Sequence, residues 1–258
     1  MKCRVAYREQ KFYYGDYLEV NIYPVFQKIA KTGRRTARKP TREVQKALNR
    51  LNRAKEVNRV ICANFTNNDL YITLTVKGEQ PTEEEFRKML DNFIAKYTRA
   101  LMKKGKDKPK WVKTVEIGIR SGRIHAHLVM SGGLAPQEIQ TMWGEGYIDC
   151  KPLMFDKDGV QGLSKYFVKQ ARNESGDGHK RKSWSCSRNC VRSEPKTNDY
   201  RYSKKKAAEI ARESENARLL EKLYPDYFFS ECEPFYNDQS GLYYLHMRFY
   251  KKNARLDL

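Results

Sequence analysis

Arg123-Ile-His-Ala-His-Leu-Val-Met130, closed by Ser131-Gly132-Gly133, is the stretch on which the reading of this chain turns. It holds two of the four histidines, one residue apart in an otherwise apolar run. Residues i and i+2 of a β-strand point to the same face. His125 and His127 therefore project side by side, while Ile124, Ala126 and Leu128 turn the other way into a core. Two neutral imidazoles on one face each offer a lone pair, the start of a divalent-cation site. Taken alone, such a pair reads as readily as two strand histidines that bind nothing.

The segment downstream changes that balance. Gly159 to Ala171 reads as a helix with Val160, Leu163, Phe167 and Val168 on its buried stripe. Tyr166 and Lys169 are three apart and share a helix face. A tyrosine beside a lysine and within reach of a metal is a nucleophile suited to phosphodiester transfer. The His-hydrophobic-His strand followed by a Tyr-x-x-Lys helix resembles the HUH endonucleases, and most closely the rolling-circle replication initiators. Phe65 to Val76, with Tyr71-Ile-Thr-Leu-Thr75, is similar to the first motif of that family. The resemblance covers roughly residues 60 to 200. It implies metal-dependent nicking and joining of single-stranded DNA through a 5′-phosphotyrosine, initiating replication of a plasmid, phage or integrated element. On this resemblance Tyr166 is the nucleophile, Lys169 stabilises its charge or that of the phosphate, and His125 and His127 hold the metal.

Two histidines leave a cation under-coordinated. Glu116 lies between Val115 and Ile117 on the strand that a hairpin brings beside the histidines. A carboxylate in so apolar a setting needs a partner, and a cation supplies one. Rep proteins often carry an acidic residue at this place. Gln170, one turn beyond Tyr166, is the alternative, because the single-tyrosine HUH transposases use a glutamine at that spacing. The mixed nitrogen and oxygen donors suit Mn²⁺ or Mg²⁺. Families with two catalytic tyrosines place both on one helical face, but Gly162 and Leu163 stand four and three before Tyr166. The chain thus looks like a single-tyrosine enzyme. Relaxases put the tyrosine ahead of the histidines, and Tyr13 and Tyr14 there lack metal-ligand neighbours.

The 51 Lys and Arg against 31 Asp and Glu leave a net charge of +20, which calls for a polyanionic partner. The basic run Arg34, Arg35, Arg38, Lys39 precedes a helix expected from Thr41 to about Arg59, carrying Arg42 and Arg50, with Val44, Ala47, Leu48 and Leu51 as its apolar side. With Arg123, Lys165 and Arg188, these are the expected contacts to DNA phosphates. No apolar stretch is long enough to span a bilayer and the N-terminus lacks a signal-peptide core, so no membrane and a cytoplasmic location are expected. Six scattered cysteines in a chain of this size point to reduced thiols. No Gly-x-x-x-x-Gly-Lys-Ser/Thr motif occurs. The expected partners are therefore single-stranded or hairpin origin DNA, with host helicase and polymerase acting in trans.

Around the motifs the pattern predicts β-α-β-β-α-β-α-β, an α+β domain with a mainly antiparallel central sheet and helices packed on it, ferredoxin- or RRM-like. The expected organisation is a hairpin and basic helix over 1–60, the endonuclease domain over 61–200, and a basic helix with a β-hairpin over 201–258. Ser183 to Val191 reads as a strand. On a strand, Cys186 and Cys190 would lie about 13 Å apart at ~3.3 Å per residue, too far to chelate zinc together. Two competing readings remain: an HUH single-tyrosine transposase, and a DNA-binding module that kept the fold without the chemistry.

Overall fold

The computed structural model describes residues 5–26, 42–118, 121–169, 183–254 and 256. Strands β1 (Val5–Tyr14) and β2 (Tyr17–Phe26) form the N-terminal hairpin, and α1 (Arg42–Asn64) follows. The central segment runs β3 (Leu70–Thr75), α2 (Glu83–Lys103), β4 (Trp111–Ile117), β5 (Ile124–Met130), α3 (Pro136–Trp143), β6 (Ile148–Pro152), α4 (Gln161–Lys169) and β7 (Ser185–Cys186). The remainder is β8 (Lys196–Tyr202), α5 (Lys204–Arg212), α6 (Ala217–Leu223), β9 (Tyr227–Asn237) and β10 (Leu242–Lys251). The central order is the predicted one, and the class is α+β.

Among the described residues there are two five-stranded antiparallel sheets, ordered β6-β3-β5-β4-β7 and β8-β1-β2-β10-β9. In the first, period-2 alternation separates the faces cleanly. Ile72, Leu74, Ala126 and Leu128 turn onto α2 and α3, where Phe86, Leu90, Phe93, Tyr97 and Trp143 complete a core. The predicted capping box starts α2: the Thr82 hydroxyl accepts from the Glu85 N–H, and the Thr82 N–H donates back to the Glu85 carboxylate at 2.9 Å. On the opposite face, Val112 and Val129 meet Ala54, Val57 and Ile61 of α1 and Phe167 and Val168 of α4. Phe12, Tyr14 and Tyr17 of the N-terminal hairpin enter that same core, so α1 and α4 lie between the two sheets.

The second sheet joins the two ends of the chain. β2 pairs with β10, Glu19 standing opposite Arg248 and Asn21 opposite His246. Its outer face packs on α5 and α6 through Val20, Ile22, Ile210, Leu220, Met247 and Phe249.

Four local expectations are corrected. α1 continues to Asn64, and its packed stripe is Ala54, Val57, Val60 and Ile61, whereas Leu48 and Leu51 are exposed. The expected strand over Ser183–Val191 is a strand only at Ser185–Cys186; a turn follows, with the Cys190 N–H donating to the Ser187 carbonyl at 3.1 Å. The extended geometry assumed for Cys186 and Cys190 therefore does not apply. The basic tail helix breaks into α5 and α6 where Asn216 caps α6, its side chain accepting from the Leu219 N–H at 3.2 Å. β8, not expected from sequence, edges the second sheet against β1.

Candidate active site

Antiparallel register assembles the site. Glu116 stands opposite His125 on β4 and β5, and Thr73 stands opposite His127 on β3 and β5. Because side chains alternate, these residues share the sheet face that looks toward α4. Glu116, His125 and His127 each offer a ligand atom, all within 4.8 Å of one another, and both histidines meet the Glu116 carboxylate through Nε2. Glu116 and His127 are buried, and His125 is half-buried. This group can hold a metal ion.

The ring nitrogens turned away from the group are also partnered. His125 Nδ1 lies 3.2 Å from the Arg123 carbonyl, which only accepts, so that nitrogen carries the proton. His127 Nδ1 lies 2.7 Å from the Tyr71 hydroxyl and 3.2 Å from the Thr73 hydroxyl. Fixing Nδ1 in this way presents Nε2 to a cation, the usual outer support of a histidine ligand. The donor chemistry and spacing thus fit a divalent metal. The Glu116 Oε1 atom collects three contacts: His125 Nε2, His127 Nε2 at 3.2 Å, and the Tyr166 hydroxyl, which donates at 2.7 Å. The Glu116 carboxyl is held far below the usual range: burial opposes ionisation, but hydrogen bonds from both histidines and Tyr166 outweigh it. The hydrogen bond to Glu116 raises the His125 pKa above its ordinary value.

Tyr166 comes from α4, which packs into the core through Phe167 and Val168, and its side chain meets the sheet at Glu116 and His127. Its ring packs edge-on against His127, with centroids 4.8 Å apart. Tyr166 is 36 % exposed as a residue, although its hydroxyl is engaged with Glu116. Its pKa is raised well above 10, first by burial and then by the Glu116 carboxylate. A cation held by Glu116, His125 and His127 would offset that second cause.

The other expected residues divide. Arg123 is exposed beside the group, and its guanidinium donates to the Val76 carbonyl at 2.7 Å. Lys165 is exposed next to Tyr166, with Nζ 2.9 Å from Gln161 Oε1. Arg50 is exposed on the projecting half of α1, and Arg188 is exposed in the turn after β7. Arg34, Arg35, Arg38, Lys39, Gln170 and the side chains of Arg42 and Lys169 lie outside the described residues. Tyr71 and Thr73 as partners of His127 were missed from sequence as residues of the site. The signal for Thr73 was its place across the ladder from His127.

Sheet order and site together define a class: an α+β protein consistent with the HUH endonuclease fold, with a His-Glu group that can hold metal beside a helix-borne tyrosine. Residues 69–171 match the family of the replication-associated protein ORF2, a match that spans β3 through α4 and includes every residue of the group, though less than half of the chain. That similarity supports a replication-initiator type of protein. No curated protein and no solved structure matches the chain.

Proposed function

We propose that this chain nicks and rejoins single-stranded DNA at a specific site through a 5′-phosphotyrosine on Tyr166, initiating rolling-circle replication. One observation carries the reading: the Tyr166 hydroxyl sits 2.7 Å from the same carboxylate oxygen that both histidines address. Glu116, His125 and His127 would hold the cation. A bound divalent cation supplies positive charge that polarises the scissile phosphate and offsets the Glu116 charge. The Tyr166 oxygen then forms a bond to phosphorus as the bond to the 3′-oxygen breaks, leaving a 3′-hydroxyl and a covalent 5′-phosphotyrosine. The phenol gives up its proton and the 3′-oxygen takes one up, so the exchange balances in protons; the hydrogen bond to Glu116 Oε1 orients the phenol for it. Rejoining is the same exchange in reverse, with a 3′-hydroxyl displacing Tyr166.

The family similarity supports DNA as the substrate and replication as the setting, and the net charge of +20 suits a polyanion. Helicase and polymerase would act in trans. Incubation with single-stranded origin-region DNA and Mn²⁺ or Mg²⁺, run on a denaturing gel, is expected to give a covalent protein–DNA band that a chelator abolishes. Specific DNA binding with no covalent band under any divalent cation would favour the non-catalytic module.

A further inference from the structure

The outer strand of the catalytic sheet carries an aromatic that no step above uses. Tyr147, immediately before β6, is 66 % exposed. Its carbonyl accepts from the Thr75 N–H at 3.0 Å and from the Thr75 hydroxyl at 3.1 Å. Thr75 stands opposite His125, and His125 opposite Glu116. Tyr147, Thr75, His125 and Glu116 therefore make one row across four neighbouring segments, ending at the metal-ligand group. Alternation settles which side Tyr147 serves. Ile148 and Cys150 pack into the core under α2 and α3, so Asp149 and Lys151 face the other way, opposite Thr73 and Tyr71. Tyr147 belongs to that same odd-numbered set.

We propose that Tyr147 is a stacking platform for one unpaired base of the DNA strand, a few nucleotides from the scissile phosphate, with Lys77 and Arg123 on the flanking phosphates. The choice of DNA rests on the nicking function proposed above. At ~4.8 Å between strands, the Tyr147 backbone lies about 10 Å from that of His125. This is two or three nucleotides at the ~3.4 Å stacked spacing of one strand. The carrier is rigid: a Cβ on Gly146 would fall 2.3 Å from the Thr75 carbonyl oxygen and 2.7 Å from the Lys77 nitrogen, so only glycine permits this close approach. A tyrosine fixed at its backbone presents a large apolar face with few rotors to immobilise, which suits a base. Lys77 and Arg123 are both exposed at this end of the sheet, and Arg123 is anchored on the Val76 carbonyl. The nearest acid on β6, Asp149, is already paired with Lys151 at 2.6 Å.

The test is equilibrium binding of a fluorescent oligo-dT single strand to the full chain without divalent cation, in a Tyr166→Phe background. Tyr147→Ala is expected to weaken binding at least about fivefold, and Tyr147→Phe to retain it. Tyr200→Ala, which removes the most exposed tyrosine from the edge of the other sheet, is expected to change nothing. Lys77→Ala and Arg123→Ala are each expected to lower the salt dependence by about one counterion. Unchanged binding by Tyr147→Ala overturns the proposal, as does a Tyr147→Phe variant as weak as Ala, since a hydroxyl contact is not stacking. Tighter binding of oligo-rU than oligo-dT overturns the choice of DNA. Because no strand is cut in this assay, its outcome is independent of whether Tyr166 forms an adduct.

Discussion

At the scale of single residues, the site turns on one oxygen. Glu116 Oε1 is the point where both imidazoles and the Tyr166 phenol converge. Removing an imidazole leaves two ligands, too few to hold a cation in place. His125→Ala or His127→Ala is therefore expected to abolish adduct formation while leaving most DNA affinity, which comes from dispersed Lys and Arg. Parallel assays of binding and adduct yield check this; equal loss of both would make the histidines structural. Tyr71→Phe takes from His127 Nδ1 its closer partner and leaves only Thr73. Metal affinity, read by Mn²⁺ titration, is expected to fall about tenfold. The two histidines, Glu116 and Tyr166 were legible because hairpin register and helix spacing are local rules. The reach of Tyr71 to His127 was not, because its ring stands opposite Val129 and crosses to the next pair along the ladder.

At the scale of elements, α4 must be held where Tyr166 meets the sheet, and its lead-in loop is clamped by three hydrogen bonds. Tyr17 donates to the Asp156 carbonyl at 2.8 Å, and Asn58 of α1 both donates to the Asp158 carbonyl and accepts from the Val160 N–H. Gly159 closes the loop at φ +80°, and a Cβ there would lie 2.6 Å from Cys62 Sγ. Gly159→Ala is expected to cost about 1–3 kcal/mol in chemical unfolding. It should also slow adduct formation, because the displaced loop carries α4 with it; wild-type stability and rate would show the loop is not under this constraint. α1 presents a different case, with two apolar stripes in one helix. The first, around Leu48 and Leu51, is the more obvious in sequence but stays exposed. The second packs because only that half of the helix runs between the sheets. The projecting half carries Arg50 and Arg53, both exposed. The Arg50→Ala, Arg53→Ala double variant is expected to weaken DNA binding uniformly across sequences and to reduce the salt slope by about two. An unchanged slope would remove this helix from the DNA interface. β8 escaped notice for a physical reason: Lys-Thr-Asn-Asp-Tyr-Arg-Tyr is an edge strand buried only at Tyr202, so it shows no alternation.

At the scale of the whole molecule, the pairing of β2 with β10 could not be read locally, since it joins segments more than two hundred residues apart. It places a charged seam between the second sheet and α1. Glu19 accepts two bonds from Arg59, His246 Nδ1 bonds Asn21 at 2.8 Å, and Arg248 meets Asp158, Glu231 and Glu233. The His246 pKa is lowered to about 4 by burial and by Lys55 and Arg59, against the opposing pull of Glu19. The unfolded chain takes up this proton near pH 6.5 and the folded chain only near 4. The contribution is thus complete above pH 6.5 and is lost as pH falls from 6.5 toward 4, about 3 kcal/mol in all. His246→Asn keeps a donor toward Asn21 and is expected to remove this component from urea unfolding compared at pH 7 and pH 4.5. Parallel pH profiles for the two proteins would show that His246 does not titrate in that window. The Asp158 carboxylate ties the same seam to the α4 loop, accepting from Ser230 at 2.6 Å and Arg248 at 3.0 Å. The terminal hairpins thereby reach the tyrosine helix through that loop.

The proposed function stands or falls on attack at phosphorus by Tyr166. Protease digestion and mass spectrometry of the adduct formed with single-stranded origin DNA and Mn²⁺ locate the attacking residue. The expected result is a nucleotide on the peptide containing Tyr166, and no adduct from a Tyr166→Phe protein that still folds, binds metal and binds DNA. A nucleotide found on Tyr13, Tyr14, Tyr147 or Tyr200, or an adduct that survives Tyr166→Phe, would contradict it.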